Sequence, residues 1–533
     1  MTITETAPAT GTTGTEAPAE GEFGDLANVV GTGDGARVGR MFLGGSFIGL
    51  VAALAVGLLL DIERTTVDSI SLLDADVLTQ MVSAHRIGLV VLFAIPALLG
   101  LAMVVVPLQV GATTLAFGRA ANLAFWTWAL GGALWIAGYL VGGGPGGSDL
   151  KGTDLWLLAT IVVIAALLLA TVCVVTTVLG LRTTGMTLRR TPLFSFSMLV
   201  AGSVWLLTFP VAIGSLLVIY IDHRYGQALF GANEAILPQL SWLVSQPQIY
   251  VIAIPVLGII ADVIPVFAGA RQRMQGAVQV AIGLFGALAI GSWAQLGALR
   301  DDPMAIADDP LFVAMGVLAI LPVLMVLALS GETMRGGLRP AAPVIGALTA
   351  GLVLVAATAA GAVHVVEPLD LMGTTWALGH LHLVVGSVIV AVFAGTWFWA
   401  PKVYGRLLVD GPGKLVPAVV ALGSLLAGAA MLAAGALDQP DAPEVATARD
   451  GVEALNLAGA AGVALVLLGV LAGVAALFQG RRSSEDVPND PWGGHTLEWA
   501  TASPPVRGNF PEAPVVTDER PLFTETAQED ASA

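Results

Sequence analysis

Cysteine is almost missing from this chain. A single one, Cys173, in 533 residues excludes an intrachain disulfide and any cysteine-based metal site. Lysine is nearly as scarce, with Lys151, Lys402 and Lys414 set against 20 arginines. Charged residues make up only 12% of the chain, and the formal net charge is −16. So few cations argue against a nucleic-acid partner, because such binding rests on neutralising phosphates. No basic stretch followed by a short apolar core opens the chain, so no signal peptide is expected. Residues 1–36 lack bulky apolar side chains and read as a disordered tail.

What is abundant is apolar sequence. The chain is 56% hydrophobic with a mean hydropathy of +0.83, the composition of a polytopic membrane protein. Runs of spanning length recur at 41–60, 86–110, 121–142, 155–180, 193–221, 247–268, 276–298, 309–330, 342–366, 376–400, 415–436 and 455–478. Each is close to the ~20 residues that a bilayer requires. The expected organisation is therefore a cytoplasmic tail (1–36), a twelve-helix membrane domain (37–480) and a polar, proline-containing cytoplasmic tail (481–533) on the membrane surface.

Orientation follows from the cations between the spans. Alternate connections hold fifteen Arg and Lys on one side and five on the other. The richer side is cytoplasmic by the positive-inside rule, which puts both termini there. The outer connections are acidic, with Asp301, Asp302, Asp308, Asp309, Asp438, Asp441, Glu444, Asp450 and Glu453. Such a rim either is simply solvated or attracts a basic electron carrier.

Depth can then be read. His380 and His382 open the tenth helix and His85 opens the second, both at outward-facing ends. Gln246, Gln248 and Tyr250 open the sixth helix on the same side, and Trp293 and Gln295 close the seventh there. One layer thus collects three of the six histidines. Polar side chains are costly at such depth and usually face the bundle interior. Two histidines separated by one residue on a helix point about 200° apart and serve different neighbours. They are either helix-packing residues or ligands of groups on opposite sides of the helix. Neutral imidazole is an axial haem ligand. His85 with one histidine of the tenth helix can sandwich one haem, and the other histidine can hold a second haem with its far face open. His223 and His495 read as solvated loop residues. His364, ending the ninth helix, is read as structural rather than as a partner of a haem carboxylate. Zinc fits poorly, since no compact set of Cys, His and carboxylate ligands is visible.

At these residues the chain resembles subunit I of the haem–copper oxidase superfamily, the core subunit of cytochrome c and quinol oxidases. Ser83-Ala84-His85 is similar to its T-A-H-G, and Val106-Pro107-Leu108, Gly111-Ala112 and Ala116-Phe117 with Arg119 to its V-P-L…G-A…A-F-P-R. Arg182 with Gly185-Met186-Thr187 resembles R-x-x-G-M-T, and Gln246-Pro247-Gln248-Ile249-Tyr250 stands where the family has H-P-E-V-Y. Gly379 to His382 resembles A-H-F-H, and Asp490-Pro491-Trp492, Thr496 to Trp499 and Ser503-Pro504-Pro505 resemble D-P-W…T-L-E-W…S-P-P. The resemblance implies an all-α, twelve-helix bundle of the bacterial cytoplasmic membrane. It implies two haems, of type a or b: a low-spin one on His85 and His382, and a high-spin one with His380 as proximal ligand. It also implies a subunit II-like partner, with cytochrome c or quinol as electron donor.

Departures from that pattern are concentrated. The three copper-ligand positions read Gln246, Gln295 and Leu296, so copper is not expected, since neither an amide oxygen nor an alkyl group replaces imidazole. Tyr250 stands where the family has its catalytic tyrosine. The proton-route positions read Thr114, Gln248 and Val326; Gly435 to Pro440 lack the family's paired arginines, and Met372-Gly373 replace its outer His-Asp. The expectation is a respiratory-chain haem protein that carries electrons without copper or proton pumping. Two alternatives stay open: a terminal oxidase or nitric-oxide-handling oxidoreductase with an unusual distal site, and a structural subunit of a respiratory complex.

Overall fold

The computed structural model describes residues 30–65, 75–226, 241–290, 310–441, 451–479 and 487–523. Trp293, Gln295 and Leu296, and most of the expected N-terminal tail, lie outside the described residues. Among the described residues the regular structure is helical. Eleven helices are long and apolar enough to cross a membrane: α1 (Gly35–Glu63), α2 (Val77–Gln109), α3 (Gly118–Leu140), α4 (Leu150–Gly180), α5 (Leu193–Tyr225), α6 (Gln248–Ala268), α8 (Pro310–Gly336), α9 (Ala342–His364), α10 (Thr375–Phe398), α11 (Asp410–Gly435) and α12 (Val452–Leu477). Between α6 and α8 lies the shorter apolar helix α7 (Gln275–Ala289). The expected all-α membrane bundle is therefore present.

Local chemistry sets several of these ends. Asp34 caps α1 by accepting from the Ala36 N–H at 2.9 Å, and Thr374 caps α10 through the Trp376 N–H at 3.2 Å. Gly226 and Gly269 close α5 and α6 in the left-handed conformation, where a side chain would be strained.

Three helices form the interior. The most apolar stretch of α2 is wholly buried, and those of α6 and α10 nearly so, whereas α3 and α8 leave about two thirds of theirs on the outside. Helix α10 packs against α9, α11 and α6. Gly379 lets α11 come close: a Cβ there would lie 2.9 Å from the Gly428 carbonyl oxygen. Close backbone approach through small residues is how helices associate without a hydrophobic driving force.

Helix α2 differs from the sequence expectation. It begins some two turns earlier than 86, so His85 lies inside it rather than at its opening, and its middle, Leu89–Ala94, is a π-helical turn. The first turns (Ala75-Asp-Val-Leu-Thr-Gln) carry too many polar residues to register as an apolar run. Insertions of this type often mark functional positions.

The C-terminal segment does more than rest on a surface. Buried Lys402 donates from Nζ to the carbonyls of Asn489 (2.9 Å), Thr501 (2.5 Å) and Ala502 (3.3 Å) and to Ser503 Oγ (3.1 Å). Burial lowers this amine to about 8, against the pull of Glu498 and Asp490. Fully buried Glu498 accepts from Gln109 Nε2 and Trp399 Nε1, both at 3.1 Å, and burial raises its carboxyl above the usual range. Arg520 reaches Asp262 of α6 at 3.2 Å. His495 is buried against Phe523, and burial with the charges of Arg520, Arg271 and Arg339 lowers it to about 3.

Docking of the tail should therefore respond to acid. A histidine lowered from 6.5 to about 3 on docking leaves the undocked tail binding the extra proton between those values. Docking thus weakens as pH falls through that window. Hydrogen exchange over 487–523, corrected for intrinsic rates, should accelerate between pH 7 and pH 5, and His495→Gln should flatten the response. An equal pH response in that variant would rule this histidine out.

Candidate functional site

The interior helices bring the expected histidines together. His85 of α2 and His382 of α10 are 2% and 7% exposed, with their Nε2 atoms 3.2 Å apart and their rings inclined by 29°. The Nδ1–H of His85 donates to the Ala53 carbonyl of α1 at 2.8 Å, which leaves Nε2 as a lone pair aimed at His382. Fixing one ring nitrogen through a carbonyl so that the other can ligate is how metal-binding histidines are oriented. Gly57 of α1 lies against the same ring, and a Cβ there would fall 2.3 Å from His85 Cε1. An iron between two imidazoles needs about 4 Å between nitrogens, from two bonds of about 2 Å each. The pair falls short of that by less than 1 Å, a shift within reach of imidazole rotation. Donor chemistry, burial and orientation fit a bis-histidine haem.

Beside this pair stand two arginines. Arg64, at the end of α1, donates to Asp61 at 3.2 Å and to the Asp441 carbonyl at 3.2 Å. Arg86, next to His85, is paired with the Asp441 carboxylate. Both arginines line one small cavity with His85, Gly57, Asp61 and Leu378. Each leaves a buried Nε without a hydrogen-bond partner. Sequence reasoning missed this constellation: Arg64 counted as a loop cation, Arg86 was not singled out, and Asp441 counted as part of an acidic rim. The available signal was a guanidinium beside a candidate ligand histidine.

His380 points to the other side of α10, as the spacing requires. Its Nε2 is 3.0 Å from the hydroxyl of fully buried Tyr250, with the two rings at 88°. A macrocycle on that nitrogen needs the metal bond plus a van der Waals gap, more than about 5 Å to the next atom. A haem on His380, as the resemblance implies, therefore requires the Tyr250 side chain to move aside, as one between His85 and His382 requires those two rings to part. Gln246 lies in the same cluster: a Cβ on Gly361 of α9 would be 1.9 Å from Tyr250 Oη, 2.8 Å from Gln246 Oε1 and 3.0 Å from His380 Nε2. Gln248 is separate, donating to Thr208 Oγ1 of α5 at 3.3 Å, and Val326 is buried in α8. His223 and His495, expected to be solvated, are both shielded: the His223 side chain is 4% exposed beside Asp154, and His495 packs under the tail. Among the described residues no three His, Cys, Asp or Glu side chains form a metal-binding group.

An all-helical membrane bundle in which one buried helix carries histidines on two faces defines a class of polytopic membrane subunit. Comparison with known proteins narrows it. The family model described as "Cytochrome C and Quinol oxidase polypeptide I" matches residues 37–478, and the chain belongs to that family. A Streptomyces coelicolor protein described as cytochrome c oxidase subunit 1-beta is 30% identical over 515 residues, covering 92% of this chain and 89% of its own. The Corynebacterium diphtheriae cytochrome c oxidase subunit 1 is 28% identical over 525 residues, covering 92% and 90%. This chain is thus a haem–copper oxidase subunit I-like, multi-pass membrane protein.

Gly361→Ala should be disruptive, since its methyl carbon would sit 1.9 Å from Tyr250 Oη in a fully buried cluster. Overpacking of this kind costs about 1–3 kcal/mol. Thermal unfolding in detergent should shift down accordingly; an unchanged midpoint would show that Tyr250 does not occupy this position.

Proposed function

We propose that this chain is an electron-carrying membrane cytochrome that retains the low-spin haem site of its family and has given up the oxygen-reducing one. The observation that carries the reading is the His85–His382 pair: two buried imidazoles from different helices with facing Nε2 atoms 3.2 Å apart. In this reading His85 and His382 would hold the haem, and Arg64 and Arg86 stand where cations could balance its carboxylates. When bound, the haem would supply one-electron chemistry. The chain itself presents two buried imidazoles, excludes water through α2 and α10, and fixes the His85 tautomer through the Ala53 carbonyl.

Copper and oxygen reduction are left out for reasons of donor chemistry. Gln246 occupies one copper-ligand position, and the sequence places Gln295 and Leu296 at the others. Neutral amide oxygen and alkyl groups do not hold copper against cellular competition. Gln248, Thr114 and Val326 offer no titratable group on the proton routes, so protons are not pumped. In the cell the chain sits in a bacterial cytoplasmic membrane with both termini inside. It works beside a subunit II-like partner and takes electrons from cytochrome c or a quinol.

Two measurements test this. Purified protein should show a low-spin haem spectrum that disappears in both His85→Ala and His382→Ala, with no copper by metal analysis. Persistence of the spectrum in either variant would refute the ligand pair. Arg64→Gln should lower the reduction potential, by an energy on the order of 1 kcal/mol for one nearby buried cation. Separately, a topology reporter after Ala436 should read outside and one after Ser483 cytoplasmic; the reverse pattern would invert the orientation.

A further inference from the structure

Residues 514–523 lie as a strap across two connections between helices. In the α4–α5 connection, Thr183 Oγ1 donates to the Pro514 carbonyl. The Val516 N–H donates to the Thr184 carbonyl at 3.0 Å, and Arg190 donates to the Val516 carbonyl at 3.2 Å. Two acidic side chains of the strap then meet arginines. Arg271 Nη1, in the α6–α7 connection, donates to both carboxylate oxygens of Asp518, at 2.9 and 3.1 Å. Arg189 stands 3.3 Å from Glu519. The Arg271 guanidinium also lies over the Phe523 ring, 5.1 Å from its centre, and Phe523 in turn covers His495. One side chain thus holds the strap at two points.

These ion pairs are open to solvent: Arg189 and Arg271 are both exposed. Exposed pairs are weak and exchange readily with other anions. Their surroundings are those of a membrane edge. Arg189 follows exposed Leu188, and exposed Arg273 precedes exposed Met274. The helices that start from these connections, α5 and α7, turn Leu207, Val280 and Leu284 outward. Gln279 of α7 donates to the carbonyls of Leu188 and Arg189 at 3.1 and 3.3 Å, so the two connections form one surface.

We propose that Arg189, Arg271 and Arg273, edged by Leu188 and Met274, form a site for the phosphate of an anionic phospholipid headgroup, and that Asp518 and Glu519 of the strap compete for it. Carboxylate and phosphate oxygens suit the same guanidinium fork, so the strap carboxylates mark where phosphate oxygens bind. The apolar side chains beside the cations favour a lipid over a free anion. They reach the acyl boundary while the guanidinium groups stay among the headgroups. Exchange turns Arg271 away from both Asp518 and Phe523 and frees the strap. The inner part of the tail stays anchored by Lys402 and Glu498. The site uses no residue of the proposed haem pair, and it stands or falls apart from that reading.

Hydrogen exchange tests this on the full chain in nanodiscs of phosphatidylcholine, with and without phosphatidylglycerol. Residues 514–523 should exchange about tenfold faster when phosphatidylglycerol is present, since each exposed arginine gains several-fold at an anionic surface. Residues 489–503 should not change. High salt should erase the difference. Arg189→Gln combined with Arg271→Gln should give one exchange rate in both membranes, and Asp518→Asn should be fast in both. Circular dichroism equal to that of the wild type shows that these variants are folded. Equal exchange of the wild type in the two membranes would overturn the proposal. So would the same acceleration by inorganic phosphate in phosphatidylcholine nanodiscs, which assigns the site to a free anion. A lipid effect that persists in the double arginine variant places the headgroup elsewhere and overturns it as well.

Discussion

Buried imidazole is the constraint on which the rest of this molecule depends. Helix α10 lies almost wholly inside the bundle and carries His380 and His382 on opposite faces, so neither ring can reach water. Each therefore needs a partner from a neighbouring helix, and each partner restricts how that helix packs. His382 takes His85, which fixes α2 against α10, and the Ala53 carbonyl and Gly57 bring in α1. His380 takes Tyr250, which fixes the start of α6, and bare Gly361 lets α9 close over the cluster. Five helices (α1, α2, α6, α9 and α10) are thereby registered to one another around three histidine rings.

The two sides of α10 have diverged chemically. On the His382 side the donors are neutral imidazoles facing each other with cations nearby, an arrangement suited to holding a redox group and tuning its charge. Toward α6 and α9, Gln246 stands at a position that the resemblance gives to a copper ligand, and Tyr250 lies beside His380. Belonging to the cytochrome c and quinol oxidase polypeptide I family fixes the scaffold; the chemistry depends on which of its sites the side chains still build.

Much of the scaffold was legible in the sequence because the bilayer demands long apolar runs, and eleven of the twelve expected spans appear as long apolar helices among the described residues. The opposed directions of His380 and His382 were legible too, from helical geometry alone. What hydropathy hides is polar chemistry buried against polar partners. The early turns of α2 are polar, so His85 was placed at a helix opening. Residues 487–523 read as a surface tail, yet Lys402 and Glu498 bury hydrogen-bonding groups inside the bundle end. Arg86 and Asp441 are 355 residues apart, and no local pattern announces such a pair.

The central claim is that the buried His85–His382 pair holds a low-spin haem in a chain whose copper ligands are replaced. It is tested most directly by the reduced haem spectrum and copper analysis of purified protein. The account expects the low-spin haem and no copper. One copper per chain in washed protein, or no low-spin haem, would contradict it.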